Sequence, residues 1–172
     1  MSHLKTIKSA LISVYYKDNL EALARYLAGN NVTLFSTGGT QAYLEDLGIP
    51  VVSVSSLTNF PEILNGRVKT LHPTIFGGIL HRRESPSDLE AISDHQIPAI
   101  DLVIVDLYPF EETVKNTQNE EEIIEKIDIG GVSLIRAAAK NHHDVVVLSG
   151  KNQYEELLQV LQDKGGQTTC GD

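Results

Sequence analysis

The chain has 172 residues, 41% of them hydrophobic and 22% charged, a composition that suits one globular domain with a sizeable core. Its formal net charge of -9 argues against nucleic acid or an anionic membrane as a partner, because both need a basic face; a small anion held by a few gathered cations is still allowed. Cys170 is the only cysteine, which leaves no disulfide framework or thiolate metal site and fits a reducing cytoplasm. The start, MSHLKTIKSALISVYYKDN, lacks the cleavage pattern of a signal peptide, and no apolar stretch approaches the ~18 residues of a membrane span.

In chain order, β-branched apolar runs predict strands at Ile7–Val14, Val32–Ser36, Val51–Val54, Leu102–Leu107 and Val145–Leu148. Such near-continuous runs belong to parallel strands buried on both faces. Helices are predicted over Leu20–Ala28 and Thr40–Leu47, with Gly29 and Gly48 as their C-terminal stops. Ser87–Glu90, Asn119–Glu122 and Asn152–Glu155 each set a capping side chain three residues before Glu, which predicts three further helix starts. This alternation implies an α/β fold: a three-layer α/β/α sandwich with a doubly wound, mainly parallel sheet of about five strands. The acidic run Glu120–Glu125 reads as a solvated helix face. One connection, from Ser55 to Ile100, is far longer than the ~4–6 residues usual in compact domains. It is too apolar for a disordered linker, carrying Phe60, Ile63, Leu64, Leu71, Ile75 and Phe76. It predicts an ordered loop packed over the sheet, of the kind that carries function.

Open parallel sheets bind ligands beyond the carboxyl ends of their strands. There the chain places Ser13 and Lys17, then Ser36-Thr37-Gly38-Gly39-Thr40 opening into a helix. A glycine turn at a helix N-terminus offers free N–H groups and a favourable dipole to phosphate. It is equally a tight turn, and it is neither a Walker loop nor a G-x-G-x-x-G fingerprint, so no ATP or dinucleotide cofactor is implied. The long connection adds Asn65 to Pro73, in which Arg67 and Lys69, if extended, point the same way; His72 before Pro73 reads as backbone-restricted. Asp106-Leu107-Tyr108-Pro109 ends the fourth strand with an acid and a phenol at the rim. The stretch DIGGVSLIRAAAKNHH adds Asp128, Gly130, Gly131, Arg136 and Lys140. Six histidines without a His-x-x-His pair or a carboxylate cluster argue against a metal, and His142-His143 reads as a polar helix end.

Together, TGGT, NGRVKTLHP, DLYPF and IDIGG followed by AAAKNH resemble the IMP cyclohydrolase domain of the bifunctional purine-biosynthesis family, over roughly Ser9 to Leu161. The resemblance implies a methylglyoxal synthase-like fold and closure of formyl-AICAR to IMP with loss of water, without cofactor or metal. It implies that Ser13, Lys17, Thr37, Gly38, Gly39 and Thr40 hold the 5′-phosphate, and that Arg67, Lys69 and Thr70 lie along the ribose and carboxamide. Tyr108, Asp128, Ile129 and Gly130 would line the base, beside Asp106 and Leu107. Lys140 would donate and accept the proton, with Lys69, Asp128 and Tyr108 completing the catalytic set. As partners it implies a purine nucleotide, a homodimer, and an AICAR transformylase domain fused after about residue 163, where Lys164–Thr169 looks like the junction.

The sequence departs from the family pattern in places. Asp106 stands where Asn is more common, and Tyr15-Tyr16 and Asp18-Asn19 flank Lys17 where smaller residues are usual. A carboxylate at position 106 is expected to accept a hydrogen bond from the substrate carboxamide or from Lys69 or Lys140. Two alternatives stand beside this reading. One is a non-catalytic nucleotide-sensing domain of the same fold. The other is a methylglyoxal synthase-type lyase, which needs an acid in the segment that here reads Gly66–Thr70.

Overall fold

In the computed structural model, which describes residues 4–169 and 171, the apolar runs line up in one parallel sheet. Cys170 lies outside the described residues. After a short β1 (Lys5–Thr6) come β2 (Ser9–Ser13), β3 (Thr33–Ser36), β4 (Val52–Ser53), β5 (Leu102–Val105) and β6 (Val146–Leu148). They are ordered β4-β3-β2-β5-β6, with every neighbouring pair parallel. The chain winds outward from β2 to β4, then returns to lay β5 on the other side of β2. The ends of β2 and β5 therefore flank the point where the winding reverses, the usual ligand crevice of such sheets.

Alternation along the central strands builds a core on each face. Ala10 and Ile12 of β2, with Leu102 and Ile104 of β5, face one cluster. It is closed by α1 (Leu20–Gly29), α2 (Gly38–Asp46) and α9 (Tyr154–Asp163) through Leu20, Leu23, Leu27, Leu44, Leu157 and Leu161. Leu11, Val103 and Val105 face the other cluster, against α4 (Pro73–Leu80) and α8 (Gly130–Lys140) through Ile75, Ile79, Leu134, Ala137 and Ala138. At ~25 cal/mol per Å² of apolar surface removed from water, these two faces dominate the folding free energy.

The long connection is ordered but is not a loop. It holds α3 (Val54–Thr58), a 3-10 turn at Leu64–Gly66, α4 and α5 (Pro86–Asp94). Only part of it covers the sheet: Ile75 and Ile79 are fully buried, whereas Phe60, Ile63 and Leu64 are exposed. Glycines 77 and 78 interrupt the apolar period of α4. A Cβ at Gly78 would lie 2.6 Å from the Pro98 carbonyl, so close packing against the chain entering β5 dictates that glycine. His72 caps α4, its Nδ1 accepting from Thr74 N at 3.2 Å, with Pro73 at the first helical position.

Of the three predicted caps, Asn119 stands as expected, accepting from Glu121 N and Glu122 N ahead of the solvated α7 (Glu120–Ile124). The α5 cap is Ser85, bonded to Asp88 N, two residues before the predicted Ser87; Pro86 fixes the start there. Asn152 does not cap α9 and lies inside a 3-10 turn, Lys151–Gln153, that leads into it. Gly48 adopts a left-handed conformation (φ 69) as a helix stop should, but Gly29 is the last residue of α1 and Asn31 (φ 60) makes the turn. The phenol-bearing rim after β5 runs into α6 (Phe110–Asn116). At the far end β7 (Gln167–Thr168), within the segment expected to begin a linker, pairs antiparallel with β1. No described helix is long and apolar enough to cross a membrane.

Candidate functional site

A cavity of about 760 Å³ opens at the carboxyl ends of β2, β3 and β5. Of the expected site residues, Ser13, Lys17, Thr37, Gly39, Thr40, Arg67, Lys69, Thr70, Tyr108, Asp106, Asp128, Ile129 and Gly130 all line it. Residues more than a hundred positions apart meet there because β2 and β5 are neighbours.

The Thr37–Thr40 turn is the first turn of α2, and it has no side-chain cap. Two ammonium groups flank it. A Cβ at Gly38 (φ 55) would lie 2.8 Å from Lys69 Nζ, and one at Gly39 would lie 3.9 Å from Lys17 Nζ. The hydroxyls divide. Thr37 donates to the Glu62 carboxylate, while buried Thr40 accepts from Val14 N at 3.0 Å and donates to Val14 O at 2.9 Å, stitching β2 to α2. Lys17 folds over its own loop, donating to the carbonyls of Val14 (2.7 Å) and Tyr15 (2.9 Å). Burial pushes its ammonium below the usual lysine range, and Asp106 opposes that shift.

Asp106 is buried, and its partners differ from those expected: its two oxygens accept from the backbone amides of Tyr15 and Tyr16. The chain turns sharply after β2, and the carboxylate satisfies two amides that the sheet no longer pairs. Asp128 makes a similar contact, Oδ1 accepting from Gly131 N at 2.6 Å and Oδ2 from Tyr108 N at 3.4 Å. It thus starts α8 and ties the β5 rim to it. A Cβ at Gly131 would lie 2.8 Å from that carboxylate, so a side chain there would push Asp128 out of this contact.

Arg67 and Lys69 do not act as an extended pair, because Arg67 takes helical angles (φ -66, ψ -22) at the end of the 3-10 turn. Arg67 reaches across the cavity mouth to Glu125, whereas Lys69 pairs with Glu62 at 3.5 Å. Three expected residues stand outside the cavity lining. Gly38 lies behind Lys69, and Leu107 points to solvent. Lys140 is exposed at the last position of α8; the helix is 11 residues long, so Lys140 is about 15 Å from Gly130 at its start. Arg136, four residues earlier, shares that exposed face. The neighbouring Asn141 is buried and braces α4, Nδ2 donating to the carbonyls of Ile79 (2.8 Å) and His81 (3.0 Å).

Glu62, Glu125 and Lys126 were not foreseen from the sequence. Lys126 Nζ lies 5.1 Å from the Tyr15 ring centroid and 5.7 Å from that of Tyr108, and the two rings meet edge to face at 5.5 Å. This makes one cavity wall from the unusual Tyr15 and the expected Tyr108. Glu125 ends the acidic stretch that reads as plain solvated helix, and Lys126 directly follows it. Glu62 and Lys69 flank the Ile63–Val68 bridge, so the two face each other across a short turn that only the structure shows.

A family model for the MGS-like domain matches residues 19–133, from the start of α1 to the first turn of α8. The chain belongs to the MGS-like domain family. This MGS-like domain is 54% identical over 165 residues to the bifunctional purine biosynthesis protein PurH of Bacteroides thetaiotaomicron, covering 96% of the chain and 32% of the relative. It is 50% identical over 169 residues to the PurH of Rhodopirellula baltica, covering 98% and 32%. The chain thus spans about a third of the length of these curated relatives. Among solved structures, the crystal structure of ForH superposes with a TM-score of 0.81 at 36% identity, over 92% of this chain and 80% of that one. The doubly wound methylglyoxal synthase-like fold is therefore established for this MGS-like domain.

Proposed function

We propose that this chain is an IMP cyclohydrolase domain of purine biosynthesis, closing formyl-AICAR to IMP. The observation that carries the reading is one cavity lined both by the Thr37–Thr40 turn with Lys17 and Lys69 against it and by Tyr108, Asp128 and Thr70. That lining suits a ligand that carries a phosphate and a planar ring. The relatives named PurH support the purine assignment.

In the reaction the carboxamide nitrogen attacks the formyl carbon and a C–N bond forms. The formyl oxygen takes up negative charge, is protonated, and leaves as water with hydrogens from the carboxamide and the formamido nitrogen. The Tyr108 phenol supplies a proton near that oxygen, while Lys69 stays with the phosphate turn; one such donor contributes about 2.7–4 kcal/mol to transition-state stabilisation. Asp128, held by two backbone amides, keeps lone pairs to accept from the carboxamide. Holding both reacting arms in the closing conformer removes further rotational freedom. Lys140 is left out of this set on distance, and no cofactor or metal is invoked. A homodimer and a fused transformylase domain belong to the same proposal, as does a cytoplasmic location.

The test is to mix the protein with formyl-AICAR and follow IMP absorbance. Turnover supports the reading. Tight IMP binding without turnover would favour a nucleotide sensor, and methylglyoxal release from a triose phosphate would favour the lyase. The lyase gains one observation from the structure, because Glu62 brings a carboxylate to the Lys69 turn.

A further inference from the structure

The anion turn already holds a carboxylate. Thr37 stands at the N-cap of α2, yet its hydroxyl does not cap the helix; it donates to Oε1 of Glu62. The other oxygen, Oε2, lies 3.5 Å from Lys69 Nζ. That ammonium rests against Gly38, at the N-terminal end of α2, and against Gly66 (φ 80), where a Cβ would be 2.9 Å from Nζ. A cation at a helix N-terminus is disfavoured by the dipole, so the carboxylate beside it offsets that cost. The placement is built into the turn: Glu62 and Lys69 flank the Ile63–Val68 bridge, and Leu64, Asn65 and Gly66 close it with positive φ. Arg67, one residue before the bridge ends, fastens the turn to Glu125.

We infer that Glu62 is an internal counter-anion of the phosphate subsite, which an entering phosphate must displace. This rests on the reading of the Thr37–Thr40 turn as a phosphate subsite. A phosphate exchanges one charge-assisted partner of Lys69 for another. Displacing Glu62 costs the same for every phosphate and nothing for a ligand that leaves the turn empty, so Glu62 weakens phosphate binding without acting on the rest of the ligand.

The experiment is calorimetry on the full chain with IMP and with inosine, which keeps base and ribose but carries no phosphate. It is run near pH 7.5, above the second phosphate ionisation at about 6. Glu62→Gln is expected to tighten IMP by about tenfold while leaving inosine unchanged, so that the ratio of the two widens. Glu62→Asp, which keeps the charge on a shorter arm, should fall between the wild type and Glu62→Gln and serves if the Gln variant does not fold. An unchanged ratio in Glu62→Gln overturns the inference and leaves the function proposal standing. Weaker binding of both ligands with a lower kcat also overturns it, making Glu62 a positioning residue for Lys69. If neither protein binds either ligand, the inference and the phosphate-subsite reading fall together.

Discussion

At the scale of single residues, the polar groups around the cavity combine ligand-facing positions with structural work. Asp106 shows this best, since it lines the cavity yet gives both oxygens to the amides of Tyr15 and Tyr16. Asp106→Leu should destabilise the protein by about 1–3 kcal/mol in urea unfolding, the cost of stranding buried donors, and Asp106→Asn, which keeps one acceptor, by less. Equal stability of both variants to the wild type would place the two amides elsewhere. A second expectation concerns His81, buried against Gly77 and Arg83. Burial is the main cause that pushes its imidazole below the usual histidine range; the Gly77 carbonyl raises it and Arg83 lowers it further. The unfolded chain therefore binds the proton first, so stability is fully present above a pH of about 6.5 and falls as pH drops through the lowered folded-state value. The thermal midpoint should decline on acidification through that window, and His81→Gln should flatten the decline. An identical slope in the variant would remove His81 as the cause.

At the scale of elements, α8 joins two ends of the molecule with different duties. Its N-terminus meets the cavity through Asp128 and Gly130, whereas its C-terminus passes Lys140 to solvent and buries Asn141 against α4. Asp128→Ala should lose a cap of about 1 kcal/mol as well as activity, while Asp128→Asn keeps an acceptor and should retain most of the stability. A large fall in kcat for the Asn variant with an unchanged unfolding midpoint would separate chemistry from capping. At the other end, Lys140→Ala should keep kcat within a few-fold of wild type, and Asn141→Leu should cost about 1–3 kcal/mol of stability. A collapse of kcat in Lys140→Ala, with KM for formyl-AICAR unchanged, would return Lys140 to the catalytic set. The RAAAKNH stretch was legible as a marker of family from sequence alone. Its place in space was not, because a helix carries its two ends apart whatever motif they share.

At the scale of the whole molecule, the cavity belongs to no single element: the end of β2, the first turn of α2, the turn before α4, the rim after β5 and the chain entering α8 all line it. A ligand that bridges them should stabilise the whole fold. IMP at a hundred times its dissociation constant should add about 2.7 kcal/mol to unfolding, and inosine, lacking the phosphate, far less at the same concentration. Equal shifts in thermal midpoint for the two would take the phosphate out of the site. By itself the sequence determined the five apolar strands, the α/β class, the glycine turn that opens α2 and the chemical types gathered at strand ends. Each is written in neighbouring residues, where apolar period, glycine and caps act locally. It could not show α4, whose glycines answer to Pro98 and Ile97 twenty residues away, nor the partners of Asp106, Arg67 and Lys69. Those were decided only by the tertiary structure. A charged side chain takes whichever partner the winding of the sheet brings within reach, and here that winding sets β5 beside β2 and the 62–69 turn against α2.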